Sequence, residues 1–319
     1  MTLISTNTQY DVAVILVNYN SGNYTIECVR SILEQTKETL SYGIVIVDNA
    51  SEIEDYNNLK NGLLEFEKKA PLLLFRSKIN TGFSAGNMLG LQFITARYYF
   101  LLNNDCRLQN DCLNILYNFC EKKPDVALCS PQLYDDNGKH HPCFDYFPYL
   151  STKIFGLGIL RLTYGKRYIK RKHIYTEPVQ VDVVSGSQMF VRASAFNAAG
   201  GLDTTFFLYC EEEDIAIRLA NNKYKAYLVP DARNTHKGGA STVPSLGIRK
   251  EFYISFLYFY RKHFGFTRQQ ILKLILIIRL LRKSLFDIDN FKLAIFIASG
   301  ANTKHSLRHK QQIQNILDI

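Results

Sequence analysis

Asp11-Val-Ala-Val-Ile-Leu-Val-Asn-Tyr-Asn20 decides the fold. An unbroken apolar run, Val12 to Val17, ends in polar turn formers. Ser21 to Glu34 follows with Ile26, Val29, Ile32 and Leu33 at helical spacing, so the stretch predicts strand, loop and helix. A strand apolar on both faces needs cover on both, which a parallel sheet between helices supplies. Working outward, Gly43-Ile-Val-Ile-Val-Asp48, Pro71-Leu-Leu-Leu-Phe75 and Tyr98-Tyr-Phe-Leu-Leu102 repeat the pattern at helix-length separations. The expected class is α/β, with a mainly parallel central sheet flanked by helices. At 319 residues and 47% hydrophobic, the chain has enough apolar matter for a large core, which excludes disorder.

Ligands of open α/β sheets bind beyond the carboxyl ends of the strands. Asp48 ends the second strand and Asn103-Asn104-Asp105 the fourth, so a nucleotide pocket is expected there. Gly82-Phe-Ser-Ala-Gly-Asn87 carries two readings: backbone amides brought close to phosphate, or an ordinary turn opening a helix over about Asn87–Ala96. A helix is expected near Asp111–Lys122. The segment Asp135–Pro178 is aromatic, basic and irregular, and reads as a loop-rich acceptor or subunit surface. Beyond it lie the pattern Val181–Val191, a short helix, and the acidic run Glu211-Glu-Glu-Asp214. Those acids suit either a general base or the first turn of a helix, whose positive end favours carboxylates. Asp105 suits a hard divalent cation. His236, after the strand-like Ala226–Pro230, is a metal ligand or a structural donor.

The net charge of +9 is unevenly placed. From Arg249 onward there are 13 Lys and Arg against 4 Asp and Glu, so the whole excess lies there. Interleaved aromatic and apolar residues make that region a candidate for an anionic membrane surface, or for a buried or dimer-forming helix. Nucleic acid is excluded as a partner, because the charge is spread through apolar sequence and no nucleic-acid module is present. No stretch approaches the roughly 20 apolar residues of a membrane span. The N-terminus does not read as a signal peptide. The expected location is the cytoplasm, including the inner face of the membrane. Seven cysteines without paired spacing read as reduced thiols.

Seven pieces then fall in register: Val-Asn-Tyr-Asn (17–20), Val-Asp-Asn-Ala-Ser (47–51), Asn-Thr-Gly-Phe-Ser-Ala-Gly-Asn (80–87), Leu-Leu-Asn-Asn-Asp (101–105), Ser-Gly-Ser-Gln-Met-Phe-Val-Arg (185–192), Gly-Gly-Leu-Asp (200–203) and Phe-Phe-Leu-Tyr-Cys-Glu-Glu-Glu-Asp (206–214). In this order, from about Val12 to Ser241, the chain resembles the inverting family-2 glycosyltransferases, in particular the rhamnosyltransferase-like bacterial members that build O-antigen and other surface polysaccharides. The resemblance implies a GT-A fold, the Rossmann-like fold of nucleotide-diphospho-sugar transferases. It implies a glycosyltransferase domain over 1–245, with a nucleotide-sugar half at about 10–130 and an acceptor and catalytic half at about 131–245. A basic, apolar helical extension over 246–319 would follow.

By position, the resemblance implies that Asn18, Asn20, Asp48, Asn80, Gly82, Asn87, Asn103 and Asn104 hold the nucleotide sugar. Asp105 matches the last acid of the DxD motif that binds Mg²⁺ or Mn²⁺. Asn103 stands where its first acid would be, so His236 is nominated as a further metal ligand. The family's Glu-Asp catalytic pair falls on Glu211-Glu212, with Glu212 as general base and the choice among Glu211, Glu212 and Glu213 open by one position. The implied reaction moves rhamnose from dTDP-rhamnose, or a hexose or N-acetylhexosamine from a UDP-sugar, onto a hydroxyl of a glycan or lipid-linked glycan. Two other classes stand beside it. Asn103 and the Glu-for-Asp change suit a non-catalytic, sugar-nucleotide-binding scaffold subunit. A nucleotidyltransferase is disfavoured because no Gly-rich, Lys- or Arg-bearing triphosphate loop follows the first strand.

Overall fold

In a computed structural model of the chain, residues 9–66, 68–165, 167–237 and 245–314 are described. The first half alternates β1 (Gln9–Asn18), α1 (Gly22–Gln35), β2 (Tyr42–Asp48), α2 (Ile53–Gly62), β3 (Leu72–Arg76), α3 (Gly82–Gly90) and β4 (Thr95–Asn103). These strands pair in parallel in the order β3-β2-β1-β4. β1 is covered on both faces, as its apolar run requires. Val12, Val14 and Leu16 join one core with Val29 and Ile32 of α1, while Ala13 and Ile15 join another on the opposite side. Leu16 is fully buried, so truncating it to Ala would cost roughly 2–5 kcal/mol.

The helix expected over Asn87–Ala96 instead starts at Gly82 and ends at Gly90, and β4 begins at Thr95. Gly82, Gly86 and Gly90 share one helix face at i, i+4 spacing. A Cβ on Gly86 would come within 3.1 Å of Val17, and one on Gly90 within 2.7 Å of Ile15. The glycines thus let α3 lie directly on β1, a packing role that the reading of 82–87 as a phosphate turn did not contain.

The second half holds β5 (Cys106–Leu108), α4 (Cys112–Glu121), β6 (Val126–Tyr134), β7 (His140–His141), β8 (Phe144–Asp145), α5 (Leu150–Thr163), β9 (Val179–Val181), β10 (Val183–Val184), β11 (Gln188–Arg192), α6 (Ala193–Ala198), α7 (Glu211–Asn221), β12 (Lys225–His236), α8 (Leu246–Lys283) and α9 (Ile288–Ala298). The sheet continues β4-β11-β6-β12-β5, with β11 antiparallel to both of its neighbours. β12 runs past the strand expected to end at Pro230. Its register shifts between Val229 and Arg233, which accommodates a proline that cannot donate to a ladder. The extension reaches His236, which pairs with Cys106 and so arrives next to Asp105.

The irregular-looking middle segment contributes some side chains to the core, while most of its residues stay exposed or half-buried. Cys143, Phe144, Tyr146, Phe147, Leu160 and Tyr168 are buried in the same cluster as β4 and β11 side chains. α8 breaks at Gly265, where φ is +82°. Before the break Ile254, Phe256, Leu257, Phe259 and Tyr260 are buried. Beyond it Leu272 and Leu280 are buried, while Ile271, Leu274, Ile278 and Leu281 are exposed. That division explains a stretch apolar all round: one side meets the core and the other does not. Among the described residues no helix is long and apolar enough to cross a membrane. All seven cysteines are free and buried. Residues 238–244, which include Ser241 and lead to the expected boundary at 245, lie outside the described residues.

Candidate active site

Two adjoining cavities open at the carboxyl ends of β1 and β4. The first, about 350 Å³, is lined by Val17, Tyr19, Asn49, Asn80, Gly82, Asn104 and Phe207 among others. The second, about 440 Å³, is lined by Asp105, Gly186, Ser187, Tyr209, Glu211, Glu212, His236 and Arg249. Phe83, Asn103, Leu208 and Ile248 belong to both walls, so the two form one site with a neck. A larger cavity of about 670 Å³ runs along α5, but its lining carries no carboxylate or imidazole.

Behind the first cavity lies a closed polar network. Asn18 is fully buried at the end of β1. Its Nδ2 donates to Asp48 Oδ1 at 3.0 Å, Ser51 Oγ at 3.1 Å and Asp55 Oδ2 at 3.0 Å. Its Oδ1 accepts from Thr25 Oγ1 at 2.8 Å, Ser21 Oγ at 3.2 Å and Asn104 Nδ2 at 3.2 Å. Asp48 is buried too, with Arg76 Nε at 3.6 Å from its Oδ2. Burial pushes Asp48 above the ordinary carboxylate range, against the bonds from Ser51 and Asn18 and the nearby Arg76 charge.

Successive residues at a strand end point to opposite sides. Asn18 and Asp48 turn inward, and their neighbours Tyr19 and Asn49 line the cavity. Asn49 Nδ2 donates to Asn80 Oδ1 at 3.0 Å and to the Gly82 carbonyl at 3.1 Å, which fixes the rim. Gly82 is glycine for a local reason: at φ +82° a Cβ would sit 2.3 Å from the Phe207 carbonyl oxygen. That carbonyl accepts from the Phe83 N–H at 2.8 Å, tying the 80–87 and 206–214 segments together.

In the second cavity Asp105 Oδ1 lies 3.0 Å from His236 Nε2, and Asn103 Nδ2 lies 3.5 Å from the same nitrogen. Cys106 is close enough to share a cation with them. Burial, then the Asp105 charge, push its thiol well above its ordinary value, and a soft sulfur matches Mg²⁺ or Mn²⁺ less well than a carboxylate oxygen or an imidazole nitrogen. One carboxylate and one imidazole facing an open cavity fit a divalent ion whose remaining positions a diphosphate and water would fill.

Glu211, Glu212, Glu213 and Asp214 form the first turn of α7. Burial, with the neighbouring acids Glu213 and Asp214, pushes Glu211 up to about 8. Burial and the Glu211 charge push Glu212 up to about 8. One carboxylate oxygen on each of Glu211, Glu212 and Glu213 has no hydrogen-bond partner. A Cβ at Gly186 would meet the Glu212 carboxylate at 3.2 to 3.4 Å, so Ser185-Gly186-Ser187 leaves that group its space. Asp214 is different. Lys262 Nζ at 2.6 Å, His263 Nε2 at 2.7 Å and Arg218 Nη2 at 2.5 Å surround it. Burial raises its pKa, but the bonds from His263 and Lys262 and the Arg218 charge outweigh that and hold it low.

Of the residues singled out in the sequence, Asn80, Gly82, Asn103 and Asn104 line the first cavity, and Asn103, Asp105, Glu211, Glu212 and His236 the second. Asn18 and Asp48 stand behind the wall. Asn20 is exposed on the following loop, where its Oδ1 accepts from the Glu52 N–H at 2.7 Å. Asn87 is buried inside α3 and donates to the Phe83 carbonyl at 2.9 Å. The sequence reading missed Tyr19, Asn49, Gly186 and Arg249. Strand alternation from Asn18 and Asp48 would have found the first two.

The sequence model described as Glycosyl transferase family 2 matches residues 13–197. Rhamnosyltransferase WbbL of Escherichia coli (strain K12) is 32% identical over 166 residues, which are 49% of this chain and 60% of that protein. The N-acetylglucosaminyl-diphospho-decaprenol L-rhamnosyltransferase of Mycobacterium tuberculosis (strain ATCC 25618 / H37Rv) is 25% identical over 149 residues, 46% of this chain and 48% of that protein. The match thus spans less than two thirds of either relative. Among solved structures, mannosyltransferase PcManGT from Pyrobaculum calidifontis, in complex with GDP-Man and Mn²⁺, superposes with a TM-score of 0.56 at 15% identity over 95% of this chain and 84% of that one. GalNAc-T7 with UDP, GalNAc and Mn²⁺ gives 0.56 at 17% identity over 80% of this chain and 50% of that one. The fold is GT-A.

Proposed function

Because the chain belongs to glycosyl transferase family 2, we propose that it is an inverting glycosyltransferase. The observation that carries this reading is the neck between the two cavities. It sets a nucleotide-sized space against a second one in which Asp105 and His236 face Glu211 and Glu212. Donors in keeping with the rhamnosyltransferase relatives are dTDP-rhamnose, or a UDP-hexose or UDP-N-acetylhexosamine. The acceptor is a hydroxyl of a glycan or lipid-linked glycan of a surface polysaccharide.

In this assignment Asn80, Gly82, Asn103 and Asn104 receive the nucleotide, and Asn18 with Asp48 shapes the pocket from behind. Asp105 and His236 hold Mg²⁺ or Mn²⁺. A bound divalent cation neutralises the charge that leaves with the nucleoside diphosphate. The acceptor oxygen bonds to the anomeric carbon from the face opposite the diphosphate, the bond to the diphosphate oxygen breaks, and Glu212 takes the acceptor proton. A base with a pKa near 8 is well matched to that transfer, because it binds the proton firmly and is still ionised in part at neutral pH. Glu211 keeps a second carboxyl beside it and raises its basicity.

The division at 245 is drawn by role: the residues assigned to the chemistry precede it, and the described part of 246–319 braces them and adds Ile248, Arg249, Leu307 and Gln311 to the cavity walls. Lys262 and His263 of α8 grip Asp214, and Lys262 with Tyr258 grips Asp203. The exposed stripe of Ile271, Leu274, Ile278 and Leu281, with Lys273, Arg279, Arg282 and Lys283 around it, is assigned to the anionic inner face of a membrane, where a lipid-linked acceptor resides.

The test is release of nucleoside diphosphate from a panel of nucleotide sugars with Mn²⁺, Mg²⁺ or EDTA, with and without lipid-linked acceptors. Metal-dependent release from one donor is expected, with a loss of about 10³-fold or more in Asp105→Ala and Glu212→Gln. Donor binding without release under any metal would instead favour the scaffold subunit, and full activity in both variants would sink the residue assignment.

A further inference from the structure

The segment after α9 runs back across the molecule and ends on the loops of the first cavity. It is anchored on the way. Glu251, buried in α8, accepts from Ser306 Oγ at 2.9 Å and from the Leu307 N–H at 2.7 Å. Arg308 donates to the Thr204 carbonyl in the loop before α7. From that anchor Leu307 and Gln311 enter the wall of the 350 Å³ cavity that Asn49, Asn80 and Gly82 also line.

Gln314 then makes three bonds that none of the roles above uses. Its N–H donates to the Lys78 carbonyl at 2.8 Å, its Nε2 to the Ala50 carbonyl at 3.1 Å, and its Oε1 accepts from Arg76 Nη2 at 2.9 Å. Lys78 lies in the turn after β3 and Ala50 in the turn after β2, where φ is +63°. Those two turns carry Asn80 and Asn49, the pair bonded to each other on the rim. Arg76 is buried, donates also to the Ser51 carbonyl at 2.8 Å, and holds its Nε 3.6 Å from Asp48. One residue near the end of the described chain therefore ties two loops of the pocket together and orients the guanidinium that neutralises Asp48.

We propose that residues 307–314 form a strap completing the nucleoside end of the donor site, with Leu307 and Gln311 in its wall and Gln314 as a positioning residue for Arg76, Asp48 and the Asn49–Asn80 pair. The inference rests on the first cavity being the donor-nucleotide site. The strap has no helix or strand of its own beyond the turn at Leu307–Lys310, so its place depends on these few bonds. The ligand it serves is a nucleoside diphosphate: the wall offers apolar surface from Leu307 and Phe83 and carboxamides from Gln311, Asn49 and Asn80, which both donate and accept.

The experiment measures binding of UDP, dTDP and GDP to the full chain by calorimetry with Mn²⁺, together with donor KM and kcat. Gln314→Ala and Gln311→Ala are each expected to weaken nucleotide binding about fivefold or more, with the loss in KM rather than kcat. Gln314→Glu keeps the acceptor for Arg76 but loses the donor to the Ala50 carbonyl, so it is expected to recover only the part that depends on Arg76 and to fall between Gln314→Ala and wild type. Hydrogen exchange in the nucleotide-free protein supplies a second reading: the amides of residues 49–52 and 77–81 should exchange faster in Gln314→Ala. Wild-type nucleotide binding that is matched within about twofold by both alanine variants, and by a chain shortened at Lys310, would overturn the strap and leave the donor site standing. Failure of the wild type to bind any nucleotide would overturn the donor-site reading and the strap with it.

Discussion

Behind the first cavity the buried side chains are knit into one network in which Arg76 Nε is left with only a 3.6 Å ion pair to Asp48, whereas at the second cavity Glu211 and Glu212, with Glu213 next to them, each keep a carboxylate oxygen without a hydrogen-bond partner. Asn18 alone engages Asp48, Ser51, Asp55, Ser21, Thr25 and Asn104. Glu211 and Glu212 share a helix end, where burial and the charge of neighbouring acids raise both carboxyls. The difference separates a mould from a reactive centre. Satisfied buried networks hold one geometry firmly, while unpartnered buried carboxyls store free energy that is released when a proton or a cation arrives.

The contrast breaks if Asn18 is replaceable. Asn18→Ala strips partners from Asp48, Asp55, Thr25 and Asn104 at once in a site closed to water. A stability loss of about 3–5 kcal/mol is expected, lowering Tm by roughly 5–10 °C, as read by thermal and denaturant unfolding. A loss below about 1 kcal/mol would show that water enters and satisfies the network, making it part of the cavity rather than its backing.

The other half of the comparison sharpens through pH. Glu211 has a folded-state pKa near 8 against an ordinary 4.5, so the folded protein takes up protons that the unfolded chain does not hold between those values. Stability owed to this group is therefore intact below pH 4.5 and falls as pH rises through 8. Glu211→Gln removes the ionisation. In metal-free buffer it should be more stable than wild type by about 1–2 kcal/mol at pH 8.5 and indistinguishable from it at pH 5. An equal gain at both values would mean that the carboxyl is relieved in some other way, and the second cavity would lose its claim to stored strain.

Much of this contrast was legible in the sequence, and the unread part has physical reasons. The apolar run at Val12–Val17 forces a two-faced cover, so the parallel layer followed from composition alone. The motif positions Asp105, His236 and Glu211-Glu212 converge because β12 runs on past Pro230 and pairs with β5, a long-range register that local spacing does not encode. Asparagine is the ambiguous letter: Asn18, Asn49, Asn103 and Asn104 look alike in sequence, yet the pleat turns Asn18 into the network and Asn49 into the cavity. The strap was invisible because Gln311 and Gln314 carry no charge and follow no period, and the partners of the Gln314 side chain, Arg76 and Ala50, lie more than 200 residues away.

A smaller effect is expected where α8 leaves the core. Its second half sets Ile271, Leu274, Ile278 and Leu281 on the side opposite the buried Leu272 and Leu280, and that exposed stripe is neither satisfied like the network nor strained like the acids. An apolar stripe among lysines and arginines is stable in water only at the expense of exposed apolar surface, and an anionic bilayer relieves that while neutralising the bases. Leu274→Glu with Leu281→Glu adds negative charge at the point of contact without touching either cavity. Co-sedimentation with phosphatidylglycerol vesicles should fall about threefold or more, while nucleotide release with a soluble acceptor stays at the wild-type rate. If instead vesicle binding is absent in the wild type and the double variant turns a dimer into a monomer, the stripe belongs to a second copy of the chain, and the membrane assignment falls.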